Sequence, residues 1–118
     1  MKKLLLFTMV SILSVGVWAD CETNNKNQSD LAACFEKQSY NNVIVNLNKL
    51  KELSKEQLSY NPSIIKELNK AQSTWIAYRD SYCDTYSNYH NEMNNHSNCI
   101  VSLNNARANQ LKEDIEAN

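Results

Sequence analysis

Glycine is almost missing from this chain, which has one glycine and one proline among 118 residues. The glycine, Gly16, lies in an apolar N-terminal segment, so residues 20–118 contain none. Tight β-hairpin turns need positive φ angles, which glycine adopts at little cost, so its absence argues against a many-stranded sheet. Asparagine tolerates the left-handed region of backbone φ/ψ space, and it is abundant enough here to form the turns between helices. The sequence therefore predicts an all-α fold.

Residues 1–19 have the composition of a cleaved signal peptide. Two lysines precede the apolar run Leu4–Val17, and the small residues Val17 and Ala19 stand at positions −3 and −1 of a cleavage site. The run is shorter than the ~20 apolar residues of a membrane-spanning helix. We expect cleavage to leave residues 20–118 as a single soluble domain in the periplasm or outside the bacterial cell.

Cys21 lies close enough to this cleavage site to raise the alternative of a lipid anchor. A lipoprotein signal requires a small residue directly before the modified cysteine, but Asp20 occupies that position. Trp18 also does not suit the upstream position of such a signal. We therefore expect Cys21 to form a disulfide instead.

An even number of cysteines in a short exported chain predicts two disulfides, with three possible pairings. A chain of this length buries about 65% of its unfolded surface, so covalent links would add needed stability. The four cysteines of the mature chain are Cys21, Cys34, Cys83 and Cys99.

Three helices are predicted. The first runs over 29–57 from a Ser29 N-cap, with a possible break at 40–45, where asparagines and β-branched residues cluster. The second runs over 62–88, because asparagine followed by proline at 61 and 62 is typical of a helix start. The third follows an asparagine-rich loop over 88–98 and ends near residue 117.

The pairing of the cysteines follows from a hairpin of the last two helices. A turn near residues 89–92 leaves Cys83 and Cys99 each ~10–15 Å from it along its helix, at 1.5 Å per residue. This favours a Cys83–Cys99 disulfide and leaves Cys21 to pair with Cys34. The predicted fold is a small three-helix antiparallel bundle with these two disulfides.

Four distinctive side chains recur along one side of the second helix. Gln72, Trp75, Arg79 and Cys83 occupy positions i, i+3, i+7 and i+11. We interpret Trp75 as a core anchor and this helix as the element against which the others pack.

The chain's two arginines, Arg79 and Arg107, both fall on predicted core-facing stripes. We expect their stems to be packed and their guanidinium groups to meet carbonyls or a carboxylate, with a direct binding role as the alternative. Candidate carboxylate partners are Asp80, Asp84 and Glu113.

Catalytic and metal-binding patterns are weak. One candidate zinc site consists of Cys83, His90, His96 and Cys99. Their spacing fits no common zinc finger, and cysteines of an exported chain are usually oxidised. We therefore prefer a disulfide with two solvated histidines beside it. Paired carboxylates lie among lysines, as on solvated helix faces, and no glycine-rich phosphate loop exists. We predict no enzymatic activity, no metal and no cofactor, and the mild acidity indicates no nucleic-acid partner.

Tyrosines cluster towards the end of the second helix in greater number than one helix face can bury. Tyrosine is favoured at protein interfaces. We therefore predict a partner surface that leads into the 88–98 loop and consists of Tyr78, Tyr82, Tyr86, Tyr89, His90 and His96.

The stretch 71–83, AQSTWIAYRDSYC, resembles the AQxxWxxYRDxxC signature of the LprI-type lysozyme inhibitor N-terminal domain. The resemblance extends to an early cysteine pair and to Cys99, Arg107 and Leu111, and so covers the mature chain. Two features depart from the family pattern. The loop before Cys99 is rich in asparagine rather than glycine, and Leu47-Asn48 lacks the usual acidic and tyrosine neighbours.

The resemblance implies a binding protein that blocks a lysozyme-like cell-wall hydrolase by covering its surface. An envelope interaction or assembly module without a hydrolase target is the alternative. The residues shared with the family are those expected to form a scaffold, so they predict fold more directly than activity.

Overall fold

The computed structural model describes residue 21, residues 27–90 and residues 95–117 of the chain. These residues form three helices, α1 (Gln28–Gln57), α2 (Ser63–Tyr89) and α3 (Asn95–Ala117). No strand occurs in this part of the chain, and the all-α prediction is confirmed. The predicted signal peptide, residues 1–19, lies outside the described residues.

Helix α1 begins slightly earlier than predicted and continues through the expected weak point. Asn27 is its N-cap, with the side-chain oxygen accepting from the Asp30 backbone N–H at 2.8 Å, so the prediction of Ser29 was wrong. The 40–45 segment stays helical, and Val43 there is buried together with Leu47 and Leu50 on one face. Tertiary packing of that face outweighs the lower helix propensity of the β-branched residues.

The α1–α2 connection is a tight hydrogen-bonded turn. The Leu58 N–H donates to the Ser54 carbonyl at 2.8 Å, and the Asn61 N–H donates to the Leu58 carbonyl at 2.8 Å. Pro62 occupies the N-cap position, one residue later than predicted, and makes no side-chain cap. The Asn61 side chain instead accepts from the Ser63 hydroxyl at 2.7 Å.

The loop between α2 and α3 is shorter than the predicted 88–98 segment. Helix α2 continues to Tyr89, and the His90 N–H donates to the Tyr86 carbonyl at 2.9 Å. Helix α3 already begins at Asn95, whose side-chain amide donates to the His90 carbonyl and is nearly buried. His96 therefore lies in the first turn of α3, and its predicted place in a loop was wrong.

Helix α3 is the central packing element. It contacts both other helices extensively, whereas α1 and α2 barely touch. Gln72 and Cys83 are the buried residues of α2, whereas α3 buries side chains from Asn95 to Leu111. The prediction that the other helices pack against α2 was therefore wrong.

The core has two apolar clusters at different heights of the bundle. The aliphatic end consists of Val43, Leu47, Leu50, Ala108 and Leu111, with Tyr40, Leu68 and Ile115 packed beside them. The disulfide end consists of Cys83, Cys99 and Ile100, with Tyr86 and Leu103 against them.

Both predicted disulfides are present. Cys83–Cys99 joins α2 to α3, and Cys21–Cys34 ties the chain before α1 to that helix. The two-disulfide bundle is therefore confirmed in its pairing as well as its class. None of the helices in the described ranges is long and apolar enough to cross a membrane.

Candidate functional site

A polar layer separates the two apolar clusters, and Asn104 is its centre. Asn104 is fully buried, and its side-chain oxygen accepts from Arg79 Nη1 at 3.0 Å. Its amide nitrogen donates to the Ser39 hydroxyl at 3.0 Å and to the Glu36 carbonyl at 3.4 Å. One side chain thus joins all three helices. Buried polar groups satisfied in this way fix the register of neighbouring helices.

Arg79 lies against the protein as predicted. Its guanidinium forms an ion pair with the adjacent Asp80, at 2.8 Å from Nη2 and 2.9 Å from Nε to the same oxygen. Its side chain is 14% exposed, whereas that of Asp80 is 55% exposed. The guanidinium carbon also lies 5.4 Å from the ring centroids of Tyr40 and Trp75, within cation–π range.

Arg107 donates to side-chain carbonyl oxygens, one of the two kinds of partner expected from the sequence. Its Nε and Nη2 atoms donate to the Gln72 side-chain oxygen at 3.2 and 3.1 Å, and Nη1 donates to Gln110 at 2.7 Å. Burial lowers the pKa of the Arg107 guanidinium, and the nearby Asp114 carboxylate partly opposes this. The buried Nε2 of Gln72 has no hydrogen-bond partner.

Trp75 is half-buried between these polar groups and does not belong to either apolar cluster. Arg79 and Arg107 approach its ring at 5.4 and 5.8 Å from the centroid. The interpretation of Trp75 as a core anchor was therefore wrong. Its aromatic ring instead contacts two guanidinium groups. Gln72, Trp75, Arg79 and Arg107 together connect α2 to α3.

The predicted tyrosines form a continuous row of rings, here called the tyrosine stripe, of Tyr78, Tyr82, Tyr86 and Tyr89. Successive ring centroids lie 5.7, 6.3 and 5.6 Å apart. Tyr78, Tyr82 and Tyr89 are 54%, 40% and 59% exposed. Tyr86 is half-buried and packs against the disulfide end, which fixes the stripe to the most constrained part of the bundle.

The two histidines take different places at the end of the stripe. The His90 ring packs at a tilt against Tyr86 and Tyr89, with centroid distances of 4.3 and 4.7 Å. His96 Nε2 lies 2.9 Å from the Asp84 carboxylate and so links α3 to α2. The neighbouring Tyr82 side chain, through hydrogen bonding, raises the pKa of Tyr89.

Two shallow grooves border the stripe. One, of about 480 Å³, is lined by Trp75 and Tyr78 together with Glu67, Lys70, Ala71 and Thr74. The other, of about 220 Å³, lies between α2 and α3, where Tyr82 and Tyr86 face Asn98 and Ser102. Tyr78 borders the first groove and Tyr82 the second, so the stripe connects them.

Asn104 is the site residue that sequence reasoning missed, and Tyr60 is an exposed tyrosine outside the site that it did not single out. Asn104 lies four residues after Ile100 and three before Arg107, so helical spacing places it on the buried stripe of α3. This signal was overlooked because asparagine is so common in the chain. Tyr60, in the α1–α2 turn, is 80% exposed, and nothing in its spacing distinguishes it.

The structure also tests the zinc alternative. Cys83 and Cys99 are bonded to each other, so their sulfurs are not available as thiolate ligands. Among the described residues, no group of three or more histidine, cysteine or acidic side chains is placed to hold a metal ion.

One comparison with known proteins, that with family models, agrees with the signature in α2. Searches of characterised proteins and of solved structures gave no match to the chain. A family model described as lysozyme inhibitor LprI matches residues 19–111, which include both disulfides, the polar layer and the tyrosine stripe. The chain therefore belongs to the lysozyme inhibitor LprI family.

Proposed function

We propose that this protein is an exported inhibitor that binds a lysozyme-like cell-wall hydrolase and covers its surface. Membership of a family described as lysozyme inhibitors is the observation that carries the proposal. In this proposal the protein acts in the bacterial envelope, without chemistry of its own, and protects the wall polymer by sequestering the hydrolase.

The tyrosine stripe is the proposed contact surface. Tyrosine supplies a large, stiff and amphipathic contact area, and it is enriched among the residues that dominate binding energy. Tyr78, Tyr82 and Tyr89 are exposed, yet their helix is held by the Cys83–Cys99 disulfide. A surface already fixed in its bound conformation loses little entropy on association, which favours affinity.

A turbidity assay tests this proposal. Lysis of bacterial cells by several lysozymes should slow in the presence of excess protein. The variant Tyr82→Ala/Tyr89→Ala should weaken inhibition at least about tenfold, because each truncated interface tyrosine costs ~1 kcal/mol or more.

Tyr60→Ala is the matched control, since it removes an exposed tyrosine from the α1–α2 turn outside the stripe. Its inhibition should equal that of the unmodified protein. Undiminished lysis by every lysozyme tested would disprove the inhibitor function. Equal losses in the control and the stripe variant would remove the stripe from the proposal.

A second candidate function is an envelope interaction or assembly module without a hydrolase target. Its support is that the signature residues Gln72, Trp75, Arg79 and Arg107 contact one another within the bundle and form its scaffold. Scaffold residues can be kept while the surface changes its partner. A pull-down from periplasmic extract separates the candidates by whether it retains a muramidase or a structural envelope protein.

A further inference from the structure

The tyrosine stripe carries no charge of its own, and Arg79 and Asp84 beside it already have side-chain partners. Among described residues between 71 and 106, Arg79 is the sole lysine or arginine, and it bonds to Asp80 and Asn104. Besides Asp80, the carboxylate that the structure describes in that range is Asp84, which pairs with His96. Charge therefore does not select a strongly basic or strongly acidic ligand for the stripe itself.

The groups beside the rings are hydroxyls and amides. Asn98 and Ser102 of α3 face Tyr82 and Tyr86 across the smaller groove. Thr74 lies beside Tyr78 in the larger groove, where the single carboxylate Glu67 and the single ammonium Lys70 balance in charge. These groups offer both donors and acceptors to a neutral polar ligand.

The rings are also arranged in a line. Centroid steps of 5.7 and 6.3 Å lead from Tyr78 through Tyr82 to Tyr86, and open grooves of about 480 and 220 Å³ border this row. Each step is about the 6 Å that four residues of an α-helix rise, so the row runs along the axis of α2. A row of rings extended along one axis suits an elongated ligand better than a single compact one.

Sugars have the complementary chemistry. The C–H face of a pyranose ring is apolar and packs on aromatic rings, whereas its hydroxyl and acetamido groups need hydrogen-bond partners at the ring edge. We propose that the tyrosine stripe and its two grooves bind a strand of uncharged, β-linked N-acetylated amino sugars. Such a strand shares its β-linked N-acetylated sugars with the wall glycan on which a lysozyme-like hydrolase acts.

This inference goes beyond hydrolase binding, because it assigns the same surface a second ligand. A glycan strand on the stripe would hold the protein at the wall and shield the glycosidic bonds beneath it. The strand and the hydrolase would then compete for the stripe, so added free glycan should weaken hydrolase binding.

The experiment measures binding of the purified protein to N-acetylglucosamine hexamer by calorimetry and its co-sedimentation with purified sacculi, without any hydrolase. Tyr78→Ala/Tyr82→Ala should lower hexamer affinity about tenfold or more through lost aromatic packing. Tyr78→Phe/Tyr82→Phe keeps both rings and should stay within about threefold, because each hydroxyl adds one hydrogen bond. Tyr60→Ala should bind like the unmodified protein.

Binding should also be nearly insensitive to salt, since no ion pairs form. Absence of binding to both hexamer and sacculi overturns the inference, as does an equal loss in the Tyr60→Ala control. Self-association of the protein through the stripe, seen as a dimer that Tyr78→Ala/Tyr82→Ala converts to a monomer, overturns it in favour of a second copy. Glycan binding without inhibition of lysis refutes the hydrolase proposal alone, and inhibition without glycan binding refutes this inference alone.

Discussion

The two ends of the bundle are held together by different means. At the aliphatic end, Leu111 and Val43 are fully buried among leucines, and no disulfide reaches this cluster. At the disulfide end, Ile100 is the one aliphatic residue in the buried cluster, and the Cys83–Cys99 bond supplies the connection between α2 and α3. Packing stabilises one end, and a covalent link stabilises the other.

This difference explains why the candidate surface lies at the disulfide end of the bundle. A helix that exposes Tyr78, Tyr82 and Tyr89 contributes less apolar area to the core than one that buries them. The disulfide offsets this loss by restricting the unfolded chain, which does not require the tyrosines to be buried. The covalent end can therefore present a large aromatic surface without loosening the bundle.

Leu111→Ala is the strongest expected disruption of the aliphatic end. Leu111 is 1% exposed, and truncation should lower the free energy of unfolding by about 3–5 kcal/mol through lost burial and a cavity. Urea denaturation measures the effect. Leu53→Ala, the same change at a half-buried position of α1, is the control and should cost less than half as much. Equal costs would show that the aliphatic end is not tightly packed.

Removal of the disulfide should weaken the opposite end. Cys83→Ala/Cys99→Ala opens a loop with a sequence separation of 16. The chain-entropy estimate for a loop of this size is about 3 kcal/mol of lost stability. Hydrogen exchange should then accelerate most at the end of α2 and the start of α3. Uniform acceleration along α1, α2 and α3 would contradict the division into two ends.

Combining this variant with Leu111→Ala tests the independence of the ends. Cys99 and Leu111 lie twelve residues apart, or about 18 Å along α3 at 1.5 Å per residue. Distant sites add within about 0.5 kcal/mol, and we expect the two losses to add in this way. A larger coupling would mean that the polar layer transmits strain between the clusters.

Asn104→Ala should have a smaller effect, centred on the polar layer between the ends. The substitution leaves Arg79 Nη1 and the Ser39 hydroxyl without their shared partner. Loss of a buried hydrogen-bonding group costs about 1–3 kcal/mol, and urea denaturation should report a value in this range. Asn109→Ala, at an exposed position of the same helix, should change stability far less. A null effect at Asn104 would show that the layer does not hold the helices in register.

Much of the fold could be predicted from local sequence signals. The scarcity of glycine excluded a sheet, the 3.6-residue periodicity located three helices, and helix rise placed Cys83 opposite Cys99. Helix ends were less predictable, because neighbouring residues such as Asn27 and Ser29 have similar capping ability.

The candidate surface was predictable in position but not in form. The number of tyrosines near the end of α2 indicated an exposed patch, since one helix face could not bury them all. The groove that Tyr82 and Tyr86 line depends on where α3 packs, because α3 forms its other wall. The sequence left open whether Arg107 meets a carbonyl or a carboxylate, and its hydrogen bonds to the Gln72 side-chain carbonyl depend on how two helices pack.

The sequence by itself determined the helical class, the disulfide pairing and the family signature, because each depends on residue type and on spacing along a single helix or hairpin. The tertiary structure alone decided that α3 is the central helix, that Asn104 joins all three, and that Trp75 holds two guanidinium groups. Such contacts join residues far apart in the chain. Their energies depend on the relative placement of whole helices, which local patterns do not encode.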